Sequence, residues 1–280
     1  MILGKLLEIL HATRMDDIKM IKYLGYKIFY KYYLGSRLVR KLRVIKTPFG
    51  IKLAVVSYGA MGRTLLNHGV WEPSTTMFLM KELKTGNVFI DIGANIGYYT
   101  CLAATKIRNE GVVVAFEPEP IMYRILKLNI NLNKLDNVLC EPYAVDLQDG
   151  ISLLFINPVE TGSHSLIPKV TGMKAIKVKT VTLDSYFSSQ RLPLPDFVKI
   201  DVEGAEFRVL LGMKRIIKNV PNIKIIVELT FKEYKLEHLL SFLKMYDLKP
   251  YAILSNGDVK FVKYEVLGNL KDNNILLIKG

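Results

Sequence analysis

From Asn87 onward the apolar pattern of the chain switches repeatedly between a period of two and a period near 3.6, and no other feature restricts the fold as much. Short runs of Val, Ile, Leu and Phe, each followed by a helical stretch, are the signature of strands buried on both faces of a parallel sheet. The pattern predicts strands at 88–92, 112–116, 137–141, 197–201, 223–228, 249–254 and 273–278, with helices at 97–107, 119–133, 204–217 and 232–245. An insert, residues 150–182, falls between the third and fourth core strands, with strands expected at 151–156 and 176–181. At that position it overhangs the carboxyl edge of the sheet, where ligands bind in α/β folds.

The region before the sheet has a different character. From Ile18 to Ile45, Lys and Arg are mixed with Tyr23, Tyr26, Phe29, Tyr30, Tyr32 and Tyr33, and the spacing of Tyr23, Tyr26, Tyr30 and Tyr33 predicts one or two basic, aromatic helices. Residues 43 to 58 then alternate loosely around Pro48-Phe49-Gly50, a hairpin signal, and Trp71-Glu72-Pro73 opens a helix expected to run to about Leu83. Residues 1–57 hold 12 Lys/Arg against 3 Asp/Glu, a net of +9 out of the chain's +13. The basicity therefore belongs to an N-terminal helical arm and hairpin, residues 1–57, ahead of a main domain at 58–280.

Composition excludes some classes. Half of the 280 residues are hydrophobic, enough for a large core. Cys101 and Cys140 are too few for a disulfide framework and neither has a zinc-ligand spacing, so a cytoplasmic setting is expected. Spanning a membrane takes an apolar run of about 20 residues, and the nearest stretch, Gly86 to Thr105, is broken by Asp91 and Asn95. A signal-peptide pattern is also lacking, so secretion is not expected.

Three motifs carry chemistry. In Val88-Phe89-Ile90-Asp91-Ile92-Gly93-Ala94-Asn95-Ile96-Gly97-Tyr98 a strand runs into a glycine turn and then a helix, an arrangement that lets backbone approach a nucleoside. The turn lacks G-x-G-x-x-G spacing, and Asp91 stands where a pyrophosphate would be repelled, so a cationic cofactor fits better. In Val113-Val114-Ala115-Phe116-Glu117-Pro118 an acid ends the next strand about 24 positions after Gly93, near the spacing at which a carboxylate accepts both ribose hydroxyls. In Asp196-Phe197-Val198-Lys199-Ile200-Asp201-Val202-Glu203-Gly204-Ala205-Glu206 a buried strand delivers Lys199 and Asp201 to one side and Glu203 to its tip, with Glu228 ending a neighbouring strand. An ion pair between Lys199 and Asp201 accounts for part of that charge density, and an active site accounts for the rest.

Together with Thr182-Leu183-Asp184 these ordered motifs resemble those of FkbM-type methyltransferases over about residues 71 to 230, with residues 1–45 outside the match. The resemblance implies a class I methyltransferase (Rossmann-like) α/β fold, a seven-stranded, mostly parallel sheet with helices on both faces. It implies S-adenosyl-L-methionine as cofactor and hydroxyl oxygens of sugars, polyketides or related metabolites as acceptors. Asp91, Gly93, Asn95 and Gly97 would hold the methionine end, Glu117 the ribose, and Tyr143-Ala144-Val145-Asp146 would border the adenine; Glu72, Ala94 and Pro118 complete the expected cofactor contacts.

Methyl transfer from a sulfonium is an in-line displacement, so the protein must chiefly aim a lone pair and exclude water. A hydroxyl also loses a proton, for which Asp201, Glu203, Glu228 and His164 are candidate acceptors, with Lys199 beside them. Paired acids can hold a divalent cation, but no spacing demands one and no metal is predicted. The expected acceptor is a small molecule, a glycan or a lipid-linked glycan, and residues 18–45 are expected to form either a helical lid packed on the sheet domain or a peripheral membrane contact. RNA methylation, the arm gripping phosphates, is the alternative; the acids at the site and the lack of a base-methylation motif weigh against it.

Overall fold

The computed structural model describes residues 42–57, 59–157, 164–167, 174–229, 235–269 and 274–280. Most of the basic arm, including residues 18–41 of the aromatic stretch, lies outside the described residues. The expected hairpin is present: β1 (Leu42–Lys46) pairs with β2 (Lys52–Val56) through a turn in which the Gly50 amide donates to the Thr47 carbonyl at 3.0 Å. Helix α1 (Gly59–His68) was not legible in the sequence, since Gly59, Gly62 and Asn67 are poor helix formers. It forms because it packs on β2: a Cβ at Gly62 would lie 2.0 Å from the Val56 carbonyl oxygen. Helix α2 (Pro73–Glu82) starts at the expected proline.

The sheet domain follows the predicted order closely. Its first half contains β3 (Val88–Ile92), α3 (Tyr98–Ile107), β4 (Val112–Phe116), α4 (Pro120–Leu132) and β5 (Val138–Glu141). Helix α4 opens on Glu119, whose carboxylate accepts from the Met122 amide at 2.6 Å, and on Pro120, which has no amide to leave unpaired. The insert's two strands, β7 (Gly150–Ile156) and β8 (Lys174–Val181), form a small separate sheet with β6 (Ala144–Val145), which precedes the insert, in the order β6-β8-β7. It leads into α5 (Leu183–Gln190), which Thr182 caps by accepting from the Ser185 amide.

The second half contains β9 (Phe197–Ile200), α6 (Glu206–Leu211), α7 (Lys214–Asn219), β10 (Lys224–Glu228), α8 (Leu236–Met245), β11 (Leu248–Ile253), β12 (Val259–Phe261) and β13 (Asn274–Lys279). The single helix expected at 204–217 is thus two short ones. They break at Gly212, where a Cβ would meet the Asp146 carbonyl oxygen at 2.2 Å, and Asp184 then caps α7 by accepting from the amides of Arg215 and Ile216 at 2.9 Å each.

The main sheet runs β12-β11-β13-β10-β9-β3-β4-β5. Strands β10, β9, β3, β4 and β5 are parallel, β13 runs antiparallel between β10 and β11, and β12 is an added antiparallel edge strand on β11. The seven expected strands are all present. All five residues of β3 and all four of β9 are buried, so both faces of the sheet are covered. Strand order reverses between β3 and β9, which opens a crevice beyond their carboxyl ends. Among the described residues no helix is long and apolar enough to cross a membrane.

Asn129 of α4 ties the hairpin to this frame. Its buried amide accepts from the Ala54 amide at 2.6 Å and donates to the carbonyls of Ala54 at 3.2 Å and Ile96 at 2.7 Å, joining β2, α4 and the glycine turn. Asn129→Ala leaves buried backbone groups unpaired and should destabilise the chain by about 2 to 4 kcal/mol. Urea unfolding would register this as a lower midpoint at unchanged slope; an unshifted midpoint would show that the three bonds do not anchor the hairpin.

Candidate active site

A cavity occupies the crevice. Its floor is the carboxyl ends of the parallel strands, through Ile92, Gly93, Phe116, Glu117, Asp201 and Glu228. Ala144, Val145 and Tyr143 form one side, Leu154, His164, Ser165 and Leu166 of the insert lie over it, and Ala60, Met61, Trp71 and Glu72 close the other side. The Ser165 hydroxyl donates to the Glu203 carbonyl at 2.8 Å, which fixes the insert to the β9 tip.

The glycine turn is shaped first by its own packing. Gly93 has φ +79° and a Cβ there would lie 1.9 Å from the Asp201 carbonyl oxygen; Gly97 has φ +84° and a Cβ would lie 2.4 Å from Leu126 Cδ1. Both positions therefore require glycine whether or not a ligand is bound. The amides of Gly93 and Ala94 both donate to the Phe116 carbonyl at 3.0 Å. Glu117 completes the clamp, Oε2 accepting from the Asn95 amide at 2.7 Å and Oε1 from the Glu119 amide at 2.8 Å. Burial pushes Glu117 up to about 8, against the opposing pull of those two amides.

A second group of acids sits across the cavity. Glu72, Asp201 and Glu228 each offer a carboxylate oxygen, and these lie within 4.8 Å of one another, a set able to bind a divalent cation or to share protons. Lys199 Nζ contacts Asp201 Oδ2 at 2.8 Å and lies 4.8 Å from the centre of the Tyr99 ring, so the ion pair expected from strand alternation is present. Burial alone would lower Lys199, but Asp201, Glu72 and Asp91 outweigh it and hold the ammonium above its ordinary range. Tyr99 donates its hydroxyl to Glu72 Oε2 at 2.7 Å, and Glu72 itself stands at φ 39°, a left-handed conformation held at the start of α2. Burial, reinforced by Asp201, raises Glu228 to about 8.

Of the residues singled out from sequence, Glu72, Gly93, Asn95, Glu117, Pro118, Ala144, Val145, His164, Asp201, Glu203 and Glu228 line this one cavity. Asp91, Ala94, Gly97, Asp146 and Lys199 lie behind the lining. Asp91 is buried under the turn and accepts from the Thr100 hydroxyl at 2.5 Å; burial raises it to about 6. Asp146 forms a two-pronged pair with Arg208, at 2.7 Å and 2.6 Å, and so braces α6 instead of facing the cavity. His164 Nδ1 accepts from the Asn157 amide at 3.0 Å and burial lowers the ring to about 4. The neutral ring then carries its proton on Nε2, which makes it a hydrogen-bond donor and a weak base.

Residues 91–250 match the methyltransferase FkbM domain family. The chain belongs to that family. Over 150 residues it is 31% identical to hexuronic acid methyltransferase AglP of Haloferax volcanii, covering 53% of this chain and 59% of AglP, so it spans less than two thirds of that relative. It is 26% identical over 213 residues to 31-O-demethyl-FK506 methyltransferase FkbM of Streptomyces tacrolimicus, covering 62% of this chain and 76% of that protein. In fold it is similar to the crystal structure of methyltransferase FkbM from Methylobacillus flagellatus, with a TM-score of 0.50 and 16% identity over 74% of this chain and 47% of that one.

The FkbM domain match begins after the segment that closes the cavity. Ala60 and Met61 of α1 and Trp71 were not picked out from sequence, and neither was Tyr99, the clamp on Glu72. The unreadable helix α1 hid the first two, and the aromatics carry no motif by themselves.

The raised acids fix how stability of this FkbM chain depends on pH. Glu117 and Glu228 keep their protons to about 8 when folded, whereas the ordinary glutamate value is 4.5. Between those values the folded chain binds more protons than the unfolded one, so stability falls as pH rises. Urea midpoints should decline from roughly pH 5 to pH 9, and Glu228→Gln should flatten the decline; midpoints that rise with pH would contradict the assignment.

Proposed function

We propose that this chain transfers a methyl group from S-adenosylmethionine to a hydroxyl oxygen of a sugar, glycan or related metabolite. The observation that carries the reading is Glu117: a buried carboxylate at a strand tip, oriented by two turn amides, in the same cavity as Gly93 and across from the acids. Glu117 would hold the ribose hydroxyls, and Tyr143, Ala144 and Val145, which line the same cavity, would border the adenine. The anionic surroundings favour a cationic sulfur over a dinucleotide. Two relatives, one named for a hexuronic acid, whose oxygens are both hydroxyl and carboxyl, and one for the 31-O position of FK506, support an oxygen acceptor.

In this reading the acceptor lies between the acids and the insert. S-adenosylmethionine would supply a methyl on a sulfonium leaving group, and the chain's own part would be to aim the acceptor oxygen and to take its proton on a carboxylate. Asp201 is tied to Lys199, and Glu228, raised to about 8, gains the ionised form able to take that proton as pH approaches 8. His164 can donate Nε2–H to another acceptor oxygen.

Calorimetry with S-adenosylhomocysteine tests the reading. The full chain should bind it, and Glu117→Ala should weaken binding about 10- to 100-fold, the loss of the group that would hold the ribose hydroxyls. Absence of binding at millimolar ligand to folded protein would remove the proposal. Labelled methyl incorporated into the carbohydrate fraction of a cell extract supports the acceptor class; incorporation into RNA would overturn it.

A further inference from the structure

We infer that the outward face of the β7–β8 hairpin is a docking surface for an anionic lipid bilayer. This goes beyond methyl transfer and draws on no residue of the basic arm. A strand with one face on a core and one in water alternates apolar with polar residues. Strand β7 does not: it is Gly-Ile-Ser-Leu-Leu-Phe-Ile, apolar on both faces. Its inner face contributes Leu154, packed with Ala144 and Val178 and lining the cavity. The outer face carries Ile151, 76% exposed, and Leu153, 46% exposed.

Register shows what accompanies them. Ile151 pairs with Lys179 and Leu153 with Lys177, and directly opposed residues of an antiparallel pair share a face. The outer face is therefore two exposed aliphatics beside two exposed lysines. Leu139 of β5, 40% exposed, sits two residues from Glu141, which borders the same groove as Ile151, Lys177 and Lys179. Of the acids bordering the groove, Glu141 accepts from the Tyr186 hydroxyl at 2.9 Å, and the exposed Asp149 accepts from the Thr182 amide at 2.6 Å and the Ser185 hydroxyl at 2.8 Å, while Lys179 Nζ lies 4.4 Å from the centre of the Tyr143 ring. On the strand face itself, among the described residues, the charged side chains are Lys177 and Lys179.

Charge decides the occupant. The apolar centre of a protein interface is depleted in lysine. At a bilayer, lysine stems lie along apolar surface while their heads meet anionic headgroups, and aliphatics at the same level enter the acyl boundary. Because the opposite face of β7 lines the cavity, the bilayer would lie one strand away from the site, within reach of an acceptor carried by a lipid.

The test is flotation of the full chain with vesicles of equimolar phosphatidylcholine and phosphatidylglycerol, and with phosphatidylcholine alone. The parent should float with the anionic vesicles only. Ile151→Ser/Leu153→Ser and Lys177→Glu/Lys179→Glu should each lower the bound fraction about tenfold, with an unchanged far-ultraviolet spectrum showing that they fold. Variants that float like the parent, a parent that does not float, or equal capture by neutral vesicles would each overturn the inference. Self-association that depends on Ile151 and Leu153 would assign the face to a second copy and overturn it as well.

Discussion

Two backbone amides, those of Asn95 and Glu119, converge on the carboxylate of Glu117, and the geometry of the site depends on that pair of bonds. One amide belongs to the turn after β3 and the other to the segment that starts α4. The carboxylate therefore locks together the two loops that flank the crevice, while the Phe116 carbonyl receives the amides of Gly93 and Ala94 from the same turn. A buried acid held by amides costs desolvation energy that an apolar residue would avoid. A ligand hydrogen-bonded to it, as in the proposed function, would offset that cost.

The opposite wall is built on a different balance. Lys199, buried on β9, supports a cluster of acids that would otherwise repel one another, pairing directly with Asp201 and lying over Tyr99, which in turn holds Glu72. The lysine acts from beneath the lining, so its contribution is to set the charge and position of the carboxylates above it. A cavity with the oriented Glu117 carboxyl on one side and the Glu72, Asp201 and Glu228 carboxyls on the other is the arrangement that the proposed methyl transfer to a hydroxyl would use.

Much of this was legible in the sequence because the strands are buried on both faces. Val88–Ile92 and Phe197–Ile200 leave no choice of period, and charged residues inside such runs, Asp91 and Lys199, stand out against them. Helix α1 was not legible, since its helical state is imposed by packing of Gly62 against β2 and not by local propensity. The break at Gly212 was missed for a related reason: it answers to the Asp146 carbonyl, 66 positions earlier in the chain. Asp146 and Asp91 illustrate the limit for sites. Their motif positions were clear, but whether each carboxylate faces a cavity or a partner depended on Arg208 and Thr100, which no short-range pattern connects to them.

The central claim is that the Glu117 clamp cups a sulfur nucleoside beneath the insert. A crystal structure of the full chain with S-adenosylhomocysteine tests it most directly. The account predicts both ribose hydroxyls on the Glu117 carboxylate, with the sulfur facing Asp201 and Glu228; a nucleoside bound elsewhere, or a ribose turned away from Glu117, would contradict it.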